Sequence, residues 1–237
     1  MKNISLLGLL CLLIIACSTK VTENTMVVTG NVKGLKKGTI YLQKIKDTTL
    51  ISVDSLVING DGNFTLSTEL ESPEIYYLYL DKVDNSDFND RITFFAEAGN
   101  ITMNTTWDNF AADHKIEGSE TQKKFEEFYE NMSKFNTKSL EIANRTMQPE
   151  YINDSIAKDS LIQLSNRNTT RAYLYALNYS LNNKDSYIAP YLALTEVPNA
   201  NVKYLDSIYN SLADSVAVSK YGKKLKEHIA TVKEENK

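Results

Sequence analysis

The apolar residues of this chain follow three successive patterns. From Ile4 to Ala16 they are nearly continuous, from Thr25 to Asn104 they come in short β-branched or alternating runs, and beyond Gly118 they recur every three or four positions. The middle pattern predicts strands over Met26–Val32, Gly38–Gln43, Leu50–Ile58, Phe64–Leu66, Ile75–Leu80, Arg91–Ala96 and Ile101–Asn104. Asn59-Gly60-Asp61-Gly62 and Gly99-Asn100 are predicted to close hairpins, because glycine and asparagine supply the positive φ that tight turns need. The nearly continuous apolar run at Ile75–Leu80 suits a strand inside a sheet. Short strands at regular spacing predict an antiparallel β-sandwich or barrel-like module over residues 25–118.

At Gly118 the period changes to that of a helix. Ser119-Glu120-Thr121-Gln122 fits a capping box, and Phe125, Phe128, Met132 and Phe135 follow on one helical stripe. Pro149 marks a break. A second long helix is predicted at roughly 150–182, with Ile152, Ile156, Leu164, Ala172, Tyr175 and Tyr179 on one face. Shorter helices are predicted near 186–195, 200–212 and 219–234. The fold class is therefore α+β, with the β-module followed by a helical region over 119–237 packed on it.

The first pattern changes the picture of where the chain resides. Lys2, the apolar run and the sequence Ile14-Ile15-Ala16-Cys17 have the order of a bacterial lipoprotein signal. Thirteen apolar residues are too few for a permanent span, which needs about 20. Residues 1–16 therefore read as a removed signal peptide, cut between Ala16 and Cys17, with the lipid on Cys17. Residues 17–24 are then a polar tether, and lipid holds the chain to the membrane.

Charge and cysteine content narrow the function. Taking Lys2 from the 26 basic residues leaves 25 against 30 acids, a net charge of −5 without a basic block. Such a surface does not suit nucleic acid, whose phosphates are met by clustered cations. The two cysteines are Cys11, inside the signal, and Cys17, the lipid acceptor. Residues 18–237 thus supply no thiol for a disulfide, a thiolate nucleophile, a Cys-x-x-Cys pair or a zinc-cysteine site.

No residue is assigned a catalytic, metal or cofactor role. His114 and His228 stand far apart, each without a ligand-spaced partner; His114 reads as a turn residue and His228 as an exposed helix residue. Gly118-Ser119 resembles a nucleophile turn only superficially, because helix capping explains it. Asp84, Asp87 and Asp90 lack the glycine and glutamate of a calcium loop and read as a solvated loop. The aromatic residues remain. Tyr76, Tyr77 and Tyr79 crowd one strand and Trp107 ends another, so these four are candidates for a ligand or partner face, although sheet faces half covered by helices also use tyrosine.

Val28-Thr29-Gly30-Asn31-Val32, Gly38-Thr39-Ile40-Tyr41-Leu42, Asp54-Ser55-Leu56, Asn59-Gly60-Asp61-Gly62-Asn63-Phe64, Ala98-Gly99-Asn100-Ile101-Thr102 and Ile116-Glu117-Gly118-Ser119 together resemble the domain-of-unknown-function family DUF4369. That family is common in lipoproteins of Bacteroidetes, and these motifs are structural turns rather than catalytic residues. The resemblance implies a β-module often followed by a helical segment and a thioredoxin-like domain of the thiol-disulfide oxidoreductase type. Tyr187–Tyr191 and Ser219–Leu225 are similar to that helical segment. The sequence ends at Lys237, where the thioredoxin-like domain would begin, so the resemblance implies the accessory half without the enzyme. Asp-Ser/Thr tripeptides beginning at Asp47, Asp54, Asp154, Asp159, Asp206 and Asp214 resemble the O-glycosylation signal of the same bacteria. Ser18-Thr19-Lys20 lacks the acidic run of their surface-export signal, which implies an outer-membrane anchor facing the periplasm.

These readings lead to a non-enzymatic binding or scaffolding module of the cell envelope, with a membrane lipid and another envelope protein as partners. Two alternatives accompany it: an accessory subunit for a separate thioredoxin-like protein, and a glycan- or peptide-binding lipoprotein whose sheet tyrosines form the platform.

Overall fold

The computed structural model describes residues 23–82, 90–152 and 154–235. The segment expected to be a signal peptide, Ala16 and Cys17 at its expected cleavage site, most of the expected tether, and Asp84 and Asp87 lie outside the described residues. Eight strands come first: β1 (Thr25–Lys33), β2 (Lys37–Lys46), β3 (Thr49–Asn59), β4 (Asn63–Glu69), β5 (Glu74–Lys82), β6 (Asp90–Ala96), β7 (Gly99–Thr106) and β8 (Lys115–Glu117). The helices follow as α1 (Glu120–Thr146), α2 (Pro149–Ile152), α3 (Ser155–Asn182), α4 (Ile188–Thr195), α5 (Val202–Ser211), α6 (Asp214–Ala217) and α7 (Lys220–Glu235). The class is α+β.

The strands form two four-stranded sheets, ordered β4-β1-β7-β8 and β3-β2-β5-β6. Because side chains alternate across a strand, one face of each sheet carries the apolar set. Val28, Val32, Leu66, Ile101 and Met103 of the first sheet meet Ile40, Leu42, Leu78, Ile92 and Phe94 of the second in one buried core. β5 lies between β2 and β6, an interior place that matches its continuous apolar run. Pairing is antiparallel except between β1 and β7, which run parallel from Met26/Gly99 to Lys33/Thr106.

The two expected hairpins are corrected. β3 pairs with β2 while β4 pairs with β1, so Asn59–Gly62 carries the chain from one sheet to the other. Gly62 has φ 78°, and a Cβ there would stand 2.3 Å from the carbonyl oxygen of Val32. The turn is tied to the β1–β2 connection instead of closing a ladder: Val32 N–H donates to Gly62 O at 2.9 Å, and Gly60 N–H donates to Lys36 O at 3.1 Å. Gly99 and Asn100 close no hairpin either: they are already in β7, paired with Met26 and Val27, and Glu97-Ala98 carries the chain across from β6 of the second sheet to β7 of the first. Turn chemistry fixes local φ, whereas the burial of the flanking strands decides their partners.

Ser119 caps α1 by accepting the Gln122 N–H at 2.9 Å, as the hydroxyl half of a capping box does. The other half is corrected. The Gln122 side chain accepts the N–H of Phe95 at 2.7 Å and donates to Glu126 at 2.8 Å. Glu97 accepts from the Ser119 hydroxyl and from both the N–H and the hydroxyl of Thr121. The first turn of α1 is thus hydrogen-bonded to β6 and the residue following it.

The second long helix is also corrected. It divides into α2 and α3 because Asp154 caps the latter, accepting from Ile156 N–H and Ala157 N–H at 3.0 Å each. Ile156 is 82% exposed, so the predicted stripe fails at that end; Tyr179 is buried and Leu164, Ala172 and Tyr175 are half-buried. Phe128 is fully buried and packs against the rings of Tyr175 and Tyr179 at 5.4 and 5.3 Å. Leu192, Leu205, Ile208 and Leu225 complete this helical core.

Burial pushes the hydroxyls of Tyr129, Tyr191 and Tyr221 above the ordinary tyrosine value. Tyr129 also donates to Glu196 at 2.7 Å, which favours its neutral form further. In the unfolded chain these groups lose their protons near pH 10, and in the folded chain they keep them. The unfolded state then binds fewer protons, so stability is intact below about pH 10 and falls as pH rises above it. The expected slope is at most about 1.4 kcal/mol per pH unit for each of the three tyrosines. Denaturation followed by circular dichroism at pH 8 to 12 checks this, and a flat profile across that range contradicts it.

Candidate functional site

The alternation of β5 decides which tyrosines are available. Tyr76, Leu78 and Leu80 point into the sandwich, and Tyr76 is fully buried with its ring 6.3 Å from that of Phe94. Tyr77 and Tyr79 point the other way and are half-buried. The three tyrosines grouped by sequence therefore occupy opposite faces, and Tyr76 is a core residue. Trp107 separates as well: it is partly buried against the sandwich core, with the Lys82 ammonium 5.1 Å from its ring centre.

Strand register then adds residues that the sequence does not mark. Tyr41, Tyr79 and Arg91 stand side by side across β2, β5 and β6, and Gln43, Tyr77 and Thr93 form the next row. Tyr41 and Tyr79 stack at 5.9 Å with an interplanar angle of 25°. The Arg91 guanidinium lies over both Tyr79 and Tyr77, at 5.4 and 5.7 Å from their centres. Such contacts favour a fixed guanidinium. Arg91 Nε and Gln43 Oε1 are buried without a hydrogen-bond partner, while Gln43 Nε2 donates to Ser52 at 3.2 Å.

One end of this outer face is covered by the helices. Phe95, the next outward residue of β6, is fully buried under Phe125, Tyr191 and Tyr221 at 6.3, 5.7 and 6.0 Å. Beside this cover runs a groove of about 850 Å³ lined by Lys44, Glu74, Tyr77, Tyr191, Lys220 and Tyr221. The Glu74 carboxylate, 5% exposed, lies 3.4 Å from Lys44 Nζ and is also paired with Lys220 Nζ. Burial by itself would lower Lys44, but Tyr76 and Glu74 outweigh it and hold the ammonium above its ordinary value. Lys220 N–H donates to Ser72 and Ile75 N–H donates to the Tyr221 hydroxyl, so the start of α7 is anchored where β5 begins. A buried carboxylate with cations on two elements fixes their relative position.

The histidines lie elsewhere. His114 Nδ1 is 2.8 Å from Ala111 O in an exposed turn, and His228 Nε2 is 2.8 Å from Pro198 O. His228 is half-buried, which corrects the expected exposure. What the open face offers chemically is a fixed guanidinium, three phenol rings, an amide and a hydroxyl, a set suited to recognition. A charged residue at the head of an apolar strand, Glu74 before Ile75, was the sequence signal for the anchored groove.

No curated protein and no solved structure matches the chain. Residues 26–125 match the family model described as Domain of unknown function (DUF4369). The match ends at Phe125, beyond the 118/119 boundary read from the change of period, and so takes in the first turn of α1 with Ser119, Thr121 and Gln122. The segment from β1 to the first turn of α1 is a DUF4369 domain, and α1 to α7 carry the chain on from it.

Proposed function

We propose that this chain is a lipid-anchored protein of the bacterial cell envelope and that it works as a non-enzymatic binding module, with the outer face of the second sheet as its working surface. The observation that carries the reading is the Tyr41–Tyr79–Arg91 row with Tyr77 beside it, left open where the helices stop. Tyrosine and arginine are among the residues on which protein interfaces concentrate their affinity; tyrosine buries a large area at small entropic cost, and the planar guanidinium presents a pre-organised fork of donors. The arrangement favours a protein partner over a sugar. Sugars stack on free ring faces, whereas Tyr79 has Tyr41 on one neighbour strand and Arg91 on the other.

Anchoring rests on the order of Lys2, the Ile4–Ala16 run and Cys17. Cys17→Ser is expected to abolish incorporation of labelled fatty acid and to release the protein from the membrane fraction. Retention of the label in that variant rules out Cys17 as the acceptor.

The binding reading is tested by in-cell cross-linking of the full chain followed by mass spectrometry. Tyr79→Ala is expected to remove the captured protein while leaving the chain folded, because the ring is half-buried on the outer face and takes no part in the sandwich core. A thioredoxin-like protein among the captured species would specify an accessory role in a thiol-disulfide system. Unchanged capture by Tyr79→Ala contradicts the assignment of this face.

A further inference from the structure

The edge of β6 is built to receive another strand. β6 is the last strand of its sheet, and the register pairs Ile75 with Phe95, Tyr77 with Thr93 and Tyr79 with Arg91. The N–H of Phe95 donates to Gln122 and that of Ile75 to Tyr221, so these two residues point their amides away from each other. Antiparallel ladders alternate between pairs that bond to each other and pairs that do not. Tyr77–Thr93 and Tyr79–Arg91 are therefore of the same kind as Ile75–Phe95. The N–H and C=O groups of Thr93 and Arg91 project from the outer edge of the sheet, and no hydrogen bond among the described residues reaches either N–H. Gln122 fills one place on this edge with a side-chain amide, and the two places beyond it are open.

The opposite edge differs. Asp54 of β3 accepts the N–H of Ser67 on β4 at 2.8 Å, which ties the two sheets together there. The β6 edge also carries a distinctive charge. Among the described residues Arg91 has no carboxylate partner; it rests on Tyr77 and Tyr79, and its buried Nε has no acceptor. Asp81, the outward residue next along β5, makes no ion pair with it. A guanidinium held in this way matches a carboxylate.

We infer that the β6 edge takes an extended peptide segment of the partner protein as a fifth strand of the second sheet, with an acidic side chain of that segment set against Arg91. This rests on the binding function proposed above and assigns the chemistry of the partner. Strand addition draws affinity from main-chain hydrogen bonds and specificity from alternate side chains. Here Arg91 and Thr93 offer four main-chain groups, and Arg91 reads one side chain.

The probe is a fluorescein-labelled, end-blocked heptapeptide, Thr-Val-Thr-Glu-Thr-Val-Thr, titrated with the full chain and followed by anisotropy. Two comparison peptides carry a central lysine or alternate N-methyl groups. The glutamate peptide is expected to bind, the lysine peptide to bind at least about ten-fold more weakly, and the N-methylated peptide not to bind. Thr93→Pro is expected to abolish binding yet fold normally, because an edge strand tolerates proline where the N–H faces outward. Arg91→Glu is expected to invert the preference toward the lysine peptide. Absence of binding by the glutamate peptide overturns the inference, as does equal binding by the N-methylated one. Self-association abolished by Thr93→Pro also overturns it, by giving the edge to a second copy. Binding that survives Thr93→Pro but is lost in Tyr79→Ala removes the edge assignment while leaving the tyrosine face as the binding surface.

Discussion

Gly30→Ala is expected to leave the β-module unable to fold. Gly30 lies in β1 between Val28 and Val32, whose side chains enter the core. A Cβ at position 30 would stand 1.7 Å from the carbonyl oxygen of Met103 and 3.0 Å from the Phe64 ring. The first contact is with backbone of the parallel neighbour β7, which cannot step aside without breaking the ladder that holds the middle of the first sheet. The Phe64 ring already fills the space above the glycine from β4, which pairs with β1 at this position. Overpacking against fixed backbone belongs among the rare substitutions that cost about 4 kcal/mol or more, a large share of the roughly 5–15 kcal/mol that holds a domain together. Soluble yield and a thermal melt check this. Val57→Ala, at a position 73% exposed, is the comparison and is expected to stay within about 0.5 kcal/mol of the parent. A Gly30→Ala protein that melts like the parent contradicts the packing described for β1.

Phe95→Ala is the second large effect. The ring is fully buried where β6 meets α1, α4 and α7, touching Phe125, Tyr191 and Tyr221. Removing it leaves a cavity walled by three aromatic residues from three helices, and phenylalanine-to-alanine changes at such sites cost about 3–5 kcal/mol. The loss falls on the contact between the two cores, since the sandwich and the helical core are each held by their own residues. Calorimetry is expected to show a lower melting temperature and separate transitions for the two parts. The Gln122–Phe95 hydrogen bond and the Glu74–Lys220 pair remain in this variant, but neither buries comparable apolar area. A single transition displaced by less than about 1 kcal/mol would mean that the polar contacts alone couple the halves.

Much of this fold was legible from periodicity. The alternation in Ile40, Leu42 and Leu78, Leu80 gave the inward faces, and the stripe Phe125, Phe128, Met132, Phe135 gave α1. Pairing was not legible where it depends on distant burial. Asn59–Gly62 has the composition of a hairpin turn, yet the inward set of β4 is needed by the first sheet and that of β3 by the second. Parallel pairing of β1 with β7 joins segments about 70 residues apart, which no local pattern encodes. The working face was half legible. Tyr77 and Tyr79 follow from a period of two, and the same rule assigns Tyr76 to the core, a distinction that grouping by composition misses. Arg91 joins them only through the β5–β6 register. Lys220 reaches Glu74 across 146 positions because helix packing, not sequence spacing, brings α7 to the head of β5.

The central claim is that partners meet this protein at the outer face of the second sheet. A benzophenone side chain placed in turn at Thr93 and Val57 on that sheet, and at Leu140 of α1 and Met147 just past its end, tests it in cells by photo-cross-linking. All four positions are exposed. The account predicts adducts with another protein from Thr93 and Val57, lost when Tyr79→Ala is added, and none from Leu140 or Met147. Adducts confined to Leu140 and Met147, or unaffected by Tyr79→Ala, would contradict it.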